Sequence, residues 1–144
     1  MNFTKNYGRR VVGDPVAAGA AIDQNSDIID MAGFDSVTFL VPITDSVATG
    51  VATLTVEASD ENSDTGMTAI NGAVATATSA AADDLNGQFL EVEVRRPEKR
   101  YVQAVLTSGT ANIAFGNTLA ILGEPRTKPV PADDSLAATA LVCN

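Results

Sequence analysis

The chain has 144 residues, with 9 Lys and Arg against 18 Asp and Glu, a formal charge of −9 at pH 7 and no histidine. This length fits one domain with a sizeable core. The acidic balance excludes a surface devoted to wrapping nucleic acid, which needs clustered cations, and the missing imidazole removes the usual general base and the commonest zinc ligand.

Apolar residues make up 45% of the chain, many of them alanine, while aromatics are only 5% with no Trp. Stability must then come from many small sheet contacts. The single cysteine, Cys143, permits no intrachain disulfide and reads as an incidental small apolar residue. No segment has the regions of a signal peptide or the roughly 20 apolar residues that span a bilayer. Synthesis in a cytoplasm, without export or a membrane partner, is the expectation.

Residues 1–25 read as an arm. Lys5, Arg9 and Arg10 make the first ten residues basic with no acid among them, and VAAGAAI mixes alanine with glycine, which weakens a helix. Two readings stand: a flexible terminus, or an arm ordered by an acidic neighbouring subunit. A β-domain is expected over 26–123. Ile28, Ile29 and Met31 form a short apolar segment that Gly33 turns, and SVTFLVPIT from Ser36 to Thr44 has strand composition. Pro42 inside it points to an edge or a bulge. VATLTVEA from Val51 to Ala58 alternates, with Ala52, Leu54, Val56 and Ala58 on one face.

Ser59 to Gly66 is a polar loop. Thr68 to Ala82 reads as weak strands interrupted by Gly72, with a short helix through SAAADDL as the competing reading. In GQFLEVEVRR, Leu90, Val92 and Val94 share one face and Glu91, Glu93 and Arg95 the other. Pro97-Glu98 turns the chain, and Tyr101–Thr107 and Ile113–Leu122 are the last two strands. Seven or eight short strands with no long helical period predict an all-β fold, an antiparallel β-sandwich or jelly roll. Phe39, Leu54, Val92 and Leu106 are expected in its core. Residues 124–144 form a second arm, extended by Pro125, Pro129 and Pro131. Within it, Asp133, Asp134 and Ser135 either cap a helix through LAATALV or open a frayed tail.

Few constellations carry chemistry. Asp60, Asn62 and Asp64 alternate like the start of a calcium loop, but Gly66 comes one place late and Asn71 replaces the bidentate Glu, so a solvated loop is the stronger reading. Glu91 and Glu93 stand roughly 6.5–7 Å apart by strand rise. That spacing is near a glycosidase carboxylate pair, although a wet strand face explains them as well. RRPEKR, Arg95 to Arg100, is the densest basic cluster. It reads as a hairpin turn that is solvated or docks on an acidic protein surface. No phosphate-binding glycine loop occurs, and no cofactor is expected.

Four features occur in order: AGFDSVTFLV from Ala32 to Val41, LTVEASDENSDTGMTAI from Leu54 to Ile70, KRYVQAVLT from Lys99 to Thr107, and LAILGEPRTKPV from Leu119 to Val130. In these the chain resembles a group of small tailed-bacteriophage structural proteins, often encoded close to the major capsid protein. The loop after Ser59 and the Ala/Thr stretch depart from that pattern, and the last fourteen residues lie outside it. The resemblance implies a capsid decoration or cement protein on the virion exterior: a homotrimer or homodimer that clamps major capsid protein subunits without catalysis. Under it, Lys5, Arg9, Arg10, Arg126 and Lys128 contact acidic groups of neighbouring subunits. A tail or neck component, and a carbohydrate-binding adsorption module, are the alternatives. The second is disfavoured by the shortage of aromatics.

Overall fold

The computed structural model describes residues 2–142. Cys143 lies outside the described residues. The elements are a single helical turn, α1 (Phe3–Asn6), and eleven strands: β1 (Gly8–Gly13), β2 (Val16–Gly19), β3 (Asp23–Asn25), β4 (Ile29–Asp30), β5 (Phe34–Ser46), β6 (Val51–Ser59), β7 (Thr68–Thr78), β8 (Phe89–Arg95), β9 (Tyr101–Gly109), β10 (Ile113–Phe115) and β11 (Thr118–Pro125).

Three pairs are single strands interrupted by an irregularity. β10 and β11 run in line along β5, β1 and β2 run in line along β11 and β10, and β3 and β4 run in line along β9. Counted this way, one sheet is β1/β2–β11/β10–β5–β8 and the other is β3/β4–β9–β6–β7, with every neighbour antiparallel. With the eight strands numbered along the chain, the orders are 1-8-3-6 and 2-7-4-5. This is the interleaved arrangement of a jelly roll, so the all-β expectation holds.

The two inner faces form one core. Val37, Phe39, Val41 and Ile43 of β5 face Ala52, Leu54 and Val56 of β6, with Val102 and Leu106 of β9 alongside, all at most 2% exposed. The period-2 pattern of β6 and β8 sets this directly: alternate residues of each are buried. Pro42 lies on the central strand β5 and not on an edge, at the level where the neighbouring strand passes from β11 to β10. There the partner bulges between Ala114 and Phe115, and Gly116 donates to the Pro42 carbonyl at 2.9 Å. The bulge absorbs the donor that proline lacks.

Several expectations need correction. Residues 1–25 are not a free arm, because they supply β1, β2 and β3. Val12 is buried, and Gly8 to Val11 pair in register with Leu122 to Leu119. A short edge strand takes its conformation from its neighbour more than from its own propensity. The stretch from Thr68 forms one strand, β7, whose register against β6 shifts near Gly72, which has φ +82°. SAAADDL forms turns and no helix. Asp84 accepts from Ser79 Oγ at 2.5 Å and from the Ala80 amide at 2.7 Å, satisfying those groups in a turn. LAATALV carries no helix among the described residues, since Asp133 closes its own turn on Ser135 and Leu136.

Phe39→Ala is expected to lower the unfolding free energy by about 3–5 kcal/mol and Leu54→Ala by about 2–5 kcal/mol. Val74→Ala, at a side chain 53% exposed on β7, is expected to change it by about 0.5 kcal/mol or less. Denaturant titration checks all three, and equal effects would contradict the strand registers.

Candidate partner-binding surface

Successive antiparallel strands place successive connections at opposite ends of the sandwich. The N-terminal segment, the turn at 31–33, the loops at 60–67 and 96–100 and the tail after β11 share one end; the connections at 20–22, 47–50, 79–88 and 110–112 share the other. Of the nine Lys and Arg of the chain, each among the described residues, Lys5, Arg96, Lys99, Arg100, Arg126 and Lys128 lie in the first end's connections and Arg95 at its border, while Arg9 and Arg10 lie on β1 level with Thr38 and Phe39 in the middle of β5. The far connections carry Asp83 and Asp84 and no cation, with Asp23 and Asp45 flanking them. The molecule is therefore electrostatically polar along its strand axis, mixed in charge at one end and purely acidic at the other.

The loop from Arg95 to Arg100 is the centre of the basic end. Ser36 of β5 pairs with Arg95 on one side and Gly123 on the other, so Arg95 reaches across β5 to form an ion pair with Glu124. Arg96 has a left-handed backbone, φ +50°, and its amide donates to the Asp35 carbonyl at 2.6 Å. Glu124 has the same φ. Two non-glycine residues in this sparsely occupied region mark a locally strained rim. Arg100 binds the Asp30 carboxylate in two-point fashion, Nε to Oδ1 and Nη2 to Oδ2 both at 2.8 Å, and stacks over Tyr101. Arg126 meets Asp35 at 3.2 Å, and Lys99 meets Asp60 at 3.4 Å. Arg96 is exposed and joins no ion pair among the described residues.

Beneath these groups lies an open cleft of about 570 Å³, bounded by Met31, Phe34, Asp35, Arg96, Arg100 and Arg126. A second recess of about 400 Å³, lined by Ile70, Asn71, Val94 and Lys99 among others, opens on the other side of Arg96 and Pro97. The loop is thus a wall between two recesses, with Arg96 at its crest.

The five expected contact residues divide. Arg126 belongs to the cleft. Arg9 stacks over Phe3 at 5.4 Å and donates to the Thr4 carbonyl, and Arg10 pairs with Asp133 at 3.4 Å, so both are engaged within the chain. Lys5 and Lys128 form no ion pair among the described residues, and the Lys5 carbonyl accepts from the Val130 amide at 2.9 Å. The N-terminal turn and the proximal tail therefore lie together on the edge at β1 and do not project separately. Arg96 and Arg100 belong to the RRPEKR turn, for which docking on an acidic protein surface is one of the two readings from sequence, and lie outside the five expected contact residues.

The oxygens of the 59–66 loop do not converge. Asp60 faces Lys99, and Asp64 accepts from Gln103 Nε2 at 2.5 Å; no group of three or more acidic, His or Cys side chains around a metal-sized space occurs among the described residues. Glu91 and Glu93 are on the exposed face of β8, away from both recesses.

Three carboxyls are held below the ordinary range. Arg100 does this to Asp30 by hydrogen bonding, Ser79 and the Ala80 amide do it to Asp84, and the Ser135 amide and side chain do it to Asp133, aided by Arg10. The Arg100 guanidinium is correspondingly raised.

No protein family matches the sequence, and no curated protein matches it at sequence level. The fold does have counterparts among solved structures. The PBSX exported protein XepA aligns over 94% of this chain at a TM-score of 0.52 and 18% identity. This chain spans 43% of that protein's length. A CBM4 structure aligns over 85% of this chain and 70% of its own, at a TM-score of 0.42 and 14% identity. A structure of infectious bursal disease virus, Gt strain, aligns over 81% of this chain and 32% of its own, also at a TM-score of 0.42 and 14% identity. At these identities the likeness is one of fold, a β-sandwich.

Because the folded pKa values of Asp30, Asp84 and Asp133 lie below the unfolded value of about 3.9, their contribution is fully present above that pH. It is lost as pH falls through the lower folded values. The melting temperature should hold from pH 8 to 5 and drop below about pH 4. By NMR titration, Arg100→Gln should return the Asp30 carboxyl toward its ordinary value; an unmoved Asp30 would show that Arg100 is not the cause.

Proposed function

We propose that this chain is a non-enzymatic structural protein of a bacteriophage virion, which decorates the capsid exterior and bridges major capsid protein subunits through its basic end. The observation that carries the reading is that seven of the nine cations lie at one end of an acidic jelly roll, whose opposite connections carry none. A body of net charge −9 meets least repulsion from an acidic shell when it presents the end of mixed charge first. A complementary field orients the encounter as well as strengthening it. Arg96, Arg126 and Lys128 then contact acidic groups on the shell, while the acidic far end faces solvent.

Other features support it. The sequence resemblance to small tailed-phage structural proteins covers Ile28 to Val130, and XepA, described as a PBSX exported protein, shares the body. Jelly rolls are common in capsid and lectin domains. The same features serve a tail or neck position, which differs in copy number and location.

Capsids lacking the protein test the reading. Rebinding of the purified chain should saturate at tens to hundreds of copies per particle and raise the temperature at which capsids break. Arg96→Glu combined with Arg126→Glu should abolish rebinding without unfolding the chain, because both side chains are exposed. Rebinding of that variant at the wild-type level would refute docking through the basic end. A handful of copies confined to the tail would replace the decoration reading with the tail reading.

A further inference from the structure

Four sheet edges are open, and three are blunted. The β1/β2 edge breaks at Asp14-Pro15 and carries Arg9 and Arg10, the β3/β4 edge is short and bears Asp23, Asp27 and Asp30, and β8 presents Glu91, Glu93 and Arg95. β7 differs. Over its eleven residues, TAINGAVATAT, it has no charge and no proline, and among the described residues only β6 pairs with it. Val74 to Thr78 run in unbroken register with β6, which leaves the opposite row of amides and carbonyls of this stretch open. Natural edges of this length carry charges, prolines or a cover.

The chain also holds an unpaired segment of the same character. After the Asp133 turn, residues 136–142 read LAATALV, uncharged, and among the described residues no hydrogen bond joins them to the body beyond the Leu136 amide on Asp133. Asp133 is tied to Arg10 of β1, at the edge of the sandwich opposite β7 and β8. Seven residues span about 23 Å extended, and crossing a four-stranded sheet takes about 14 Å. The segment cannot cross to its own β7 and still pair along it.

We infer that residues 136–142 of one copy add as an edge strand to β7 of another copy, head to tail. Strand addition satisfies the open row of β7 through main-chain hydrogen bonds. Elsewhere two copies of net charge −9 repel each other, whereas here both partners are uncharged. The contact is heterologous, so it closes into a ring when the rotation permits. It is independent of the capsid reading, since it concerns the chain alone.

Sedimentation and amide hydrogen exchange on the full chain test it. The full chain is expected to self-associate with the amides of residues 74–78 protected, and a chain ending at Asp134 is expected to be monomeric with those amides open. A peptide of residues 135–144 added to the shortened chain should restore the protection without restoring the oligomer. Val74→Lys with Thr76→Lys, at outward-facing positions of β7, should give a folded monomer although the tail is intact. A full chain that stays monomeric and gives no peptide protection would overturn the inference. So would an oligomer that survives removal of the tail or leaves β7 open to exchange.

Discussion

The ladder around β5 is the constraint on which the rest depends. This strand of thirteen residues is paired on both sides: to β8 on one flank, and to β11 and then β10 on the other. Its inward residues Val37, Phe39, Val41 and Ile43 are at most 1% exposed, so a slip of one residue would turn them all to the outer face. The same ladder fixes Ser36 between Arg95 and Gly123, and so sets where the 95–100 loop and the tail begin. Position at the basic end is thus a consequence of register in the core.

From that register the polarity follows. In an antiparallel sandwich the connections alternate ends, and Lys5, Arg96, Lys99, Arg100, Arg126 and Lys128 all fall in connections of one parity, while those of the other parity carry no cation. The ion pairs there are exposed and each adds little stability. Their effect is to hold Arg95, Arg100 and Arg126 against Glu124, Asp30 and Asp35 while Arg96 stays uncommitted. A surface of this type gives orientation and encounter rate more than deep affinity. Repetition on a symmetric lattice, with linked contacts, then supplies the total strength.

The strands with clean alternation were legible. Val51–Ser59 and Phe89–Arg95 declare their buried faces residue by residue, and the four expected core positions Phe39, Leu54, Val92 and Leu106 are all buried. The first 25 residues were not legible, because β1 and β2 exist through pairing with strands more than ninety residues away. The Ala/Thr stretch was read as broken where it is one strand, since small residues carry little face signal and Gly72 mimics a stop. At the candidate site, Arg126 and Lys128 stood out at the junction to the tail. Arg96 and Arg100 stand out as the densest basic cluster, yet local context shows only a turn, and the parity of connections is what shows that this turn shares an end with both termini. That parity is available from sequence once eight strands are counted.

An image reconstruction of the intact virion tests the orientation most directly. The account predicts this jelly roll on the outer shell with Arg96, Arg126 and Lys128 against the capsid, and with the 79–88 turn facing solvent. Density showing the acidic end against the shell, or placing the protein away from the shell, would contradict it.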